Sequence, residues 1–360
     1  MIAKSLIVCL SLLVFCVTAE PQEENPNKTS PWQMQSSGVD ASLRGLHVLS
    51  DKVIWSSGSS GTVLRTTDGG TTWSSTIVPG AEELDFRDIH AFDESAAVIM
   101  SAGTPARIYR TTDGAKTWTK VFEHPNDKAF FDAISFWNDK DGIAMSDPVD
   151  DRVLLIKTED GGKSWTELKS ENRPKVIPGE GGFAASGTNM VLLKNGTCLI
   201  ALGSAKEGEQ FKKSRIARST DHGETWTFVE APMPRNASSG IFSMTFLNNL
   251  IGIAVGGNYL QPENKTGNIA VTIDGGLTWN IPSGNPPSGY RSGVAANRSG
   301  KQVIFVAVGP NGTDWSTKNG YVWEKLSDDA FHAIQFSPTG NTGWATGADG
   351  RIGKWVGSKR

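Results

Sequence analysis

Short runs of alternating apolar and polar residues occur along almost the whole chain. This pattern is typical of β-strands that have one buried face. Turns rich in Gly, Asp and Ser separate these runs. In the first complete unit, the predicted strands cover residues 43–49, 53–57 and 62–65. Equivalent first strands are predicted at residues 86–92, 131–136, 183–186, 241–246, 290–295 and 331–336. The chain is therefore predicted to repeat one β-sheet unit seven times.

A turn of fixed pattern follows the third predicted strand of most units. It reads hydroxyl-x-Asp, then a glycine-containing turn, then hydroxyl-Trp, and it first occurs at residues 66–73 (TTDGGTTW). The Asp and the first hydroxyl can bond backbone N–H groups of a tight turn, and Gly adopts positive φ at little steric cost. Further copies lie at residues 111–118, 158–165, 219–226 and 272–279, and a sixth at 316–323 has Lys318 in place of the Asp.

The spacing of the repeats predicts the fold. The tryptophans that end successive turns are 44 to 61 residues apart, which suits a four-stranded antiparallel blade of a β-propeller. The seventh unit contains three predicted strands, whereas residues 32–35 look like a fourth strand without its own unit. Because a closed ring leaves no unpaired edge, we predict an all-β, seven-bladed β-propeller over residues 31–357, closed by its N-terminal strand.

The N-terminus has the pattern of a secretory signal peptide. Lys4 precedes an apolar run at residues 6–17, and small residues around Ala19 provide a cleavage site. The run is too short to span a bilayer. We expect residues 1–19 to be the signal and residues 20–30 a polar leader. The mature protein would be extracellular, or periplasmic in a bacterium.

Charge and cysteine content limit the partners and the chemistry. The chain has 35 Lys and Arg against 38 Asp and Glu, a net charge of −3, which gives no reason to expect a nucleic-acid partner. Cys9 and Cys16 lie in the predicted signal, so the mature protein keeps only Cys198, interpreted as a buried structural thiol. No later segment is apolar enough for a membrane helix, and a monomer is expected.

Six Asn-x-Ser/Thr sequences are candidate N-glycosylation sites of a secreted protein. They begin at Asn27, Asn195, Asn236, Asn264, Asn297 and Asn311.

The topology of a blade separates two faces of the predicted disc. The repeated turns join third to fourth strands and lie on one face, which we call the Asp-box face. The innermost strands begin at the opposite end, the channel face. Segments that depart from the repeat, at residues 171–182, 205–215 and 258–267, are predicted insertions, and such loops usually carry specificity.

Charged and aromatic residues are predicted to cluster where the innermost strands begin. Aligning those starts by sequence places Arg44, Arg87, Phe131, Phe183, Phe242, Arg291 and His332 at equivalent positions. The candidate ligand-binding residues on this face are Arg44, Arg87, Asp88, Asp132, Glu180, Tyr259, Tyr290, Arg291 and His332. Two interpretations remain open. The arginines bind an acidic ligand, or they pair with Asp88 and Asp132 to satisfy a crowded channel.

The repeated turn resembles the Asp-box (BNR) repeat of sialidases and sortilin-type receptors. The whole repeat, with residues 144–148 (AMSDP), 183–188 (FAASGT) and 289–292 (GYRS), resembles propellers related to the photosystem II stability and assembly factor. Secreted members of that group are often labelled oxidoreductases. The resemblance implies that the Asp-box aspartates are structural, neither catalytic nor metal ligands: Asp68, Asp113, Asp160, Asp221 and Asp274.

No residue pattern in the chain supports redox chemistry. A dinucleotide fingerprint, a cysteine pair and a metal-ligand cluster are all missing from the sequence, so we predict neither cofactor nor metal. The favoured hypothesis is a binding module whose channel face contacts a protein, peptide or glycan. If the protein is an enzyme, a glycosidase is a better match than an oxidoreductase.

A sialidase-like glycosidase is the alternative that the resemblance offers. Arg44, Arg87 and Arg291 would hold the carboxylate of an acidic sugar. Tyr290 or Tyr259 with Glu180 would supply the nucleophile, and Asp88 the acid. Against this alternative, sialidases have six blades, and their Arg-Ile-Pro motif is absent from this sequence.

Overall fold

The computed structural model of the protein describes residues 30–204, 212–299 and 302–357. The predicted signal, most of the leader and Asn27 lie outside the described residues, as do residues 205–211 of one predicted insertion. The described residues form twenty-seven strands and one 3-10 turn, at Ser170–Asn172.

The strands form seven antiparallel sheets, the blades, numbered here in chain order. The first strand, β1 (Trp32–Gln35), belongs to the seventh blade. Blade one contains β2 (Leu43–Val48), β3 (Ile54–Gly58), β4 (Thr62–Thr66) and β5 (Ser74–Ile77). Blade two contains β6 (Asp85–Ala91), β7 (Ala97–Ala102), β8 (Arg107–Thr111) and β9 (Thr119–Glu123). Blade three contains β10 (Phe131–Phe136), β11 (Gly142–Val149), β12 (Arg152–Thr158) and β13 (Thr166–Glu167).

The remaining blades depart further from the repeat. Blade four contains β14 (Met190–Leu192), β15 (Cys198–Leu202), β16 (Lys212–Ser219) and β17 (Thr227–Arg235). Blade five contains β18 (Ser239–Phe246), β19 (Gly252–Asn258) and β20 (Ile269–Thr272), and its fourth strand is reduced to a bridge between Val271 and Asn280. Blade six contains β21 (Gly293–Ser299), β22 (Gln302–Gly309), β23 (Gly312–Ser316) and β24 (Glu324–Ser327). Blade seven contains β25 (Ala333–Phe336), β26 (Gly343–Thr346) and β27 (Ile352–Trp355), with β1 as its outer strand.

Hydrophobic packing between adjacent blades holds the ring together. Seven apolar clusters lie one at each blade-to-blade interface, and each draws buried side chains from both neighbours. The cluster that joins the last blade to the first packs Trp344 against Leu43 and Leu64. The innermost strands β2 and β25 also contact each other, so the ring is closed.

The predicted closure by the N-terminal strand is confirmed. β1 pairs antiparallel with β27 from Trp32 opposite Trp355 to Gln35 opposite Ile352. The Trp32 ring lies 5.0 Å from both Phe331 and Trp355, and its indole N–H donates to the Thr313 hydroxyl at 3.2 Å. The strand that completes blade seven is thus also packed against blade six.

Each Asp box forms hydrogen bonds within its own turn, on the Asp-box face. In the first box, Thr72 donates to Asp68 from its backbone N–H (2.9 Å) and its hydroxyl (2.6 Å), and the Thr66 hydroxyl accepts from Gly70 N–H at 3.0 Å. The boxes of Asp113, Asp160, Asp221 and Asp274 repeat these bonds. The sixth copy keeps the Ser316 bond from Gly320 N–H at 3.1 Å, so the turn persists without a carboxylate.

The strand predicted at residues 183–186 is wrong. β14 is the innermost strand of blade four, and residues 183–188 instead cross the channel, where we call them the channel segment. The backbone carbonyls of Ala184 and Ala185 accept from Arg87 and Arg44, both at 3.2 Å. Gly187 has φ +70°, and a Cβ there would come within 2.1 Å of the Asp88 carboxyl carbon. Contacts across the ring therefore outweigh the strand pairing that the repeat predicts.

Removing Trp32 should weaken the closure of the ring. Trp32→Ala should cost about 3–5 kcal/mol of the free energy of unfolding, as for other buried aromatic truncations. The control is Met34→Ala on the same strand, where the side chain is 48% exposed and a change within about 0.5 kcal/mol is expected. Urea unfolding of both variants measures the difference. Equal stabilities would show that β1 does not hold the ring closed.

The Asp boxes should make the protein sensitive to acid. The Thr72 and Thr117 hydroxyls and their backbone N–H groups lower the pKa of Asp68 and Asp113 to about 2. The usual value in an unfolded chain is about 3.9. Since the folded pKa is the lower one, this stabilisation is complete above pH ~4 and is lost as the pH falls towards ~2.

A double variant tests the acid sensitivity. Asp68→Asn with Asp113→Asn should be less stable than the parent at pH ~6, yet lose less stability between pH ~4 and ~2. Urea midpoints across that range give the comparison. An identical slope in both proteins would contradict the role assigned to these carboxylates.

Candidate functional site

A β-bulge opens the innermost strand of several blades at the channel face. The pairing register shifts by one residue around Arg44, Arg87, Asp132 and Phe242. A bulge leaves one residue without a partner in the ladder and turns its side chain away from the regular alternation. The equivalent residues of blades six and seven are Ser292 and His332, since Arg291 and Phe331 lie against Gly309 and Gly347 as Leu43 lies against Gly58.

Arg291 therefore does not share a position with Arg44 and Arg87, and the sequence alignment was wrong by one residue there. Its side chain is 0% exposed and turned into blade six, where Nε donates to Asp314 at 2.6 Å. Further bonds reach the Ser288 hydroxyl at 2.6 Å and the Tyr290 carbonyl at 2.7 Å. The same one-residue offset puts Asp132, rather than Phe131, at the bulge of blade three.

Five of the predicted residues line one cavity at the channel face. This cavity of about 360 Å³ we call the arginine pocket. Its floor is the channel segment at Ala184 and Ala185, and its walls include aromatic rings as well as charged groups. The five predicted residues are Arg44, Arg87, Tyr259, Tyr290 and His332.

Arg44 and Arg87 carry two positive charges, and in the described part of the chain one carboxylate forms an ion pair with them. Arg87 Nε donates to the Asp85 carboxylate at 2.7 Å. The part of the chain that the structure describes places no carboxylate within ion-pair distance of Arg44, whose side chain donates to the Ala185 carbonyl. Burial and the neighbouring Arg87 charge lower the pKa of Arg44. The pocket therefore favours an anion beside Arg44.

His332 adds a neutral polar group to the arginine pocket. Burial, followed by the charges of Arg44 and Arg87, lowers its pKa to about 3. Its Nε2 lies 3.2 Å from the Ser42 hydroxyl. At neutral pH the imidazole is uncharged, so it can exchange hydrogen bonds without adding to the positive charge.

Aromatic rings form the other wall of the arginine pocket. Phe183 and Phe242 stack with centroids 4.0 Å apart at an interplanar angle of 14°. Tyr290 packs edge-on to Phe242 at 4.7 Å, and Tyr259, 44% exposed, does so at 6.1 Å. Burial raises the pKa of Tyr290, which keeps its phenol protonated. The pocket thus combines apolar area with a cationic edge, as ligand sites commonly do.

In the described part of the chain, the predicted acidic residues form no ion pair with Arg44 or Arg87. Both Asp88 oxygens accept backbone N–H bonds, from Ile89 and Ile134 at 2.8 Å each, and burial raises its pKa to about 7. Asp132 is buried, and burial together with Asp147 holds its pKa well above the usual range. Glu180 forms a two-point ion pair with Arg215 in a separate cleft. Within the described ranges, neither Asp88 nor Asp132 forms an ion pair with an arginine.

Other predicted positions show a range of environments. Asn195 and Asn264 are exposed, whereas Asn297 is buried and Asn311 donates to the Pro262 carbonyl. Asn236 is partly exposed. Glycosylation at these positions stays a prediction. Cys198 is buried, as predicted.

Within residues 30–204, 212–299 and 302–357, no three His, Cys, Asp or Glu side chains come together as metal ligands. Over the same ranges, no helix has the length and apolarity to cross a membrane.

The different surroundings of Arg291 and Arg44 predict different effects on stability. Arg291→Met should cost about 3–5 kcal/mol, because it leaves the buried Asp314 carboxylate unpaired. Arg44→Met should change the free energy of unfolding by less than about 1 kcal/mol. Urea unfolding measures both. Adding Asp314→Asn to Arg291→Met should restore part of the loss, and similar losses at both arginines would contradict this distinction.

Comparison with known proteins agrees with the repeat and the fold. The family model of the photosynthesis system II assembly factor YCF48 matches residues 24–125. A solved structure of YCF48 bound to D1 peptide has a TM-score of 0.64 at 18% identity, covering 91% of this chain and 96% of that chain. YCF48 from Cyanidioschyzon merolae has a TM-score of 0.59 at 18% identity, covering 91% of this chain and 99% of that chain.

A curated relative is the anhydrosialidase of Macrobdella decora. It is 30% identical over 209 residues, which is 53% of this chain. The chain spans only 24% of the length of that relative. The repeat, the family match and the shared fold together identify the chain as a seven-bladed Asp-box β-propeller that resembles the photosynthesis system II assembly factor YCF48.

Proposed function

We propose that the protein is a binding module that holds an acidic segment of a partner polypeptide in the arginine pocket. The observation that carries the proposal is that Arg44 and Arg87 line one pocket, where Asp85 forms an ion pair with Arg87 and no carboxylate of the described residues forms one with Arg44. A guanidinium group whose partner is a backbone carbonyl still has donors to give to a carboxylate. A bound acid would offset the repulsion between the two cations.

The aromatic wall supports a peptide as the partner. Phe183, Phe242 and Tyr259 offer apolar area beside the charge, so an acidic residue flanked by apolar side chains fits both parts of the pocket. YCF48, a similar propeller, has been solved with a D1 peptide bound. We further propose that the protein meets its partner outside the cytoplasm, because residues 1–19 have the pattern of a secretory signal peptide.

The sialidase alternative is not favoured by the site. It requires three arginines on one carboxylate, and Arg291 is buried in an ion pair with Asp314. Its proposed acid, Asp88, has both oxygens occupied by backbone N–H groups. The similarity to an anhydrosialidase extends over only 24% of that protein.

A peptide array tests the proposal. Purified protein should retain peptides that combine Asp or Glu with aromatic residues, and should release them as the salt concentration rises. Arg44→Gln or Arg87→Gln should lower the affinity for the best-binding peptide by about tenfold or more, since a hydrogen bond to a charged group contributes about 1.5–3 kcal/mol.

The control for that experiment is an arginine outside the pocket. Arg298 is exposed at the end of β21 remote from the bulge, so Arg298→Gln should leave peptide binding unchanged. Retention of neutral peptides as strongly as acidic ones would overturn the proposal. So would equal affinity of the Arg44→Gln variant and the parent.

A further inference from the structure

The channel segment divides the central channel into two compartments. On its Asp-box side lies a second cavity of about 320 Å³, whose roof is Ser186, Gly187 and Thr188. This lower cavity shares no lining residue with the arginine pocket. It is therefore a distinct space in the molecule, and the peptide-binding proposal makes no use of it.

The strand register determines which side chains line the lower cavity. Counting three residues on from the six bulge-equivalent positions named above reaches a second ring of positions, about 10 Å further along the innermost strands. All six of these positions line the cavity. The six lining residues are His47, His90, Ser135, Thr245, Ala295 and Gln335.

Several polar groups of this ring have no hydrogen-bond partner within the described ranges. Gln335 Oε1 accepts from Val48 N–H at 2.7 Å, which fixes the amide and leaves its NH₂ group as a free donor. Within the described ranges, nothing hydrogen-bonds the hydroxyls of Ser135 and Thr245. All three side chains are partly exposed, so a bound molecule can reach them. The cavity thus presents an amide donor and two hydroxyls.

Within the described residues, no Lys or Arg lines the lower cavity. Its one carboxyl group, Asp88, has both oxygens bonded to backbone N–H groups, and burial raises its pKa to about 7. The His47 and His90 rings pack edge to face with centroids 4.5 Å apart at 87°. Burial lowers the pKa of His47 to about 4 and that of His90 well below the usual value. Both imidazoles are therefore neutral at physiological pH.

We propose that the lower cavity binds a small uncharged polyhydroxyl compound, of the size of a monosaccharide. Its volume lies at the lower end of ligand pockets, roughly 300–1,000 Å³. Amide and hydroxyl groups exchange hydrogen bonds with sugar hydroxyls in either direction. Leu46, Ile89 and Ile134 supply apolar surface for the C–H faces of the ring. An anionic ligand would lose its hydration without gaining a counter-ion. A cationic ligand would find only Asp88, whose oxygens are already bonded to backbone N–H groups.

Ligand-observed NMR and calorimetry with the mature protein test this assignment. The panel contains glucose, galactose, mannitol and glycerol, with glucuronate and glucosamine as charged counterparts. At least one neutral member should bind with a dissociation constant below about 10 mM. The charged analogue of that compound should bind at least roughly tenfold more weakly. Binding by no neutral member would overturn the proposal and leave a cavity that holds only water.

Variants that lack the free hydroxyls test whether the neutral ligand binds in the lower cavity. Thr245→Val and Ser135→Ala should each weaken the neutral ligand roughly three- to tenfold, the loss expected for one uncharged hydrogen bond. Neither should lower the melting temperature appreciably, because these hydroxyls hold nothing else within the described chain. Met34→Ala, on the outer strand β1 and 48% exposed, should leave this binding unchanged. Unaltered affinity in both hydroxyl variants, or equal binding of charged analogues, would overturn the assignment.

Discussion

The antiparallel pairing of β1 with β27 is the constraint on which the ring depends. Every other blade is completed by residues close in sequence, whereas this one joins Trp32 to Trp355 from opposite ends of the propeller. Trp32 also contacts blade six through Thr313. Opening this seam would therefore expose both a β-strand edge and an apolar interface. The two channel compartments exist only because the seven innermost strands are kept at fixed positions around them.

The repeat fixes the interfaces between blades and leaves the channel free to vary. Apolar side chains between two blades must pack against those of the neighbouring blade, so apolar residues recur in all seven clusters. Bulge residues lie outside these seven clusters, which is why Arg44, Asp132 and Phe242 can occupy equivalent positions. The channel segment, which precedes blade four, forms hydrogen bonds with blades one, two, five and six.

Sequence periodicity predicted the features that depend on local or repeated contacts. The Asp-box turns bond within eight residues, and closure followed from counting strands, so both could be foreseen. The position of Arg291 could not, because a bulge shifts the register by one residue without changing the hydrophobic pattern around it. Residues 183–186 look like a strand locally, and only contacts with Arg44, Arg87 and Asp88 across the channel make them a crossing segment.

The fold itself does not require two arginines in the upper compartment. Equivalent bulge positions accept Phe242, Ser292 and His332, so the backbone there tolerates apolar, small and neutral side chains. Placing Arg44 beside Arg87 under partial burial is electrostatically unfavourable, as the lowered pKa of Arg44 shows. Arg291 illustrates the contrasting case, in which a buried guanidinium is matched by Asp314 and stabilises its own blade. Two cations that have the single Asp85 carboxylate as ion-pair partner in the described chain, and that the architecture does not need, support the proposal that an anion binds beside them.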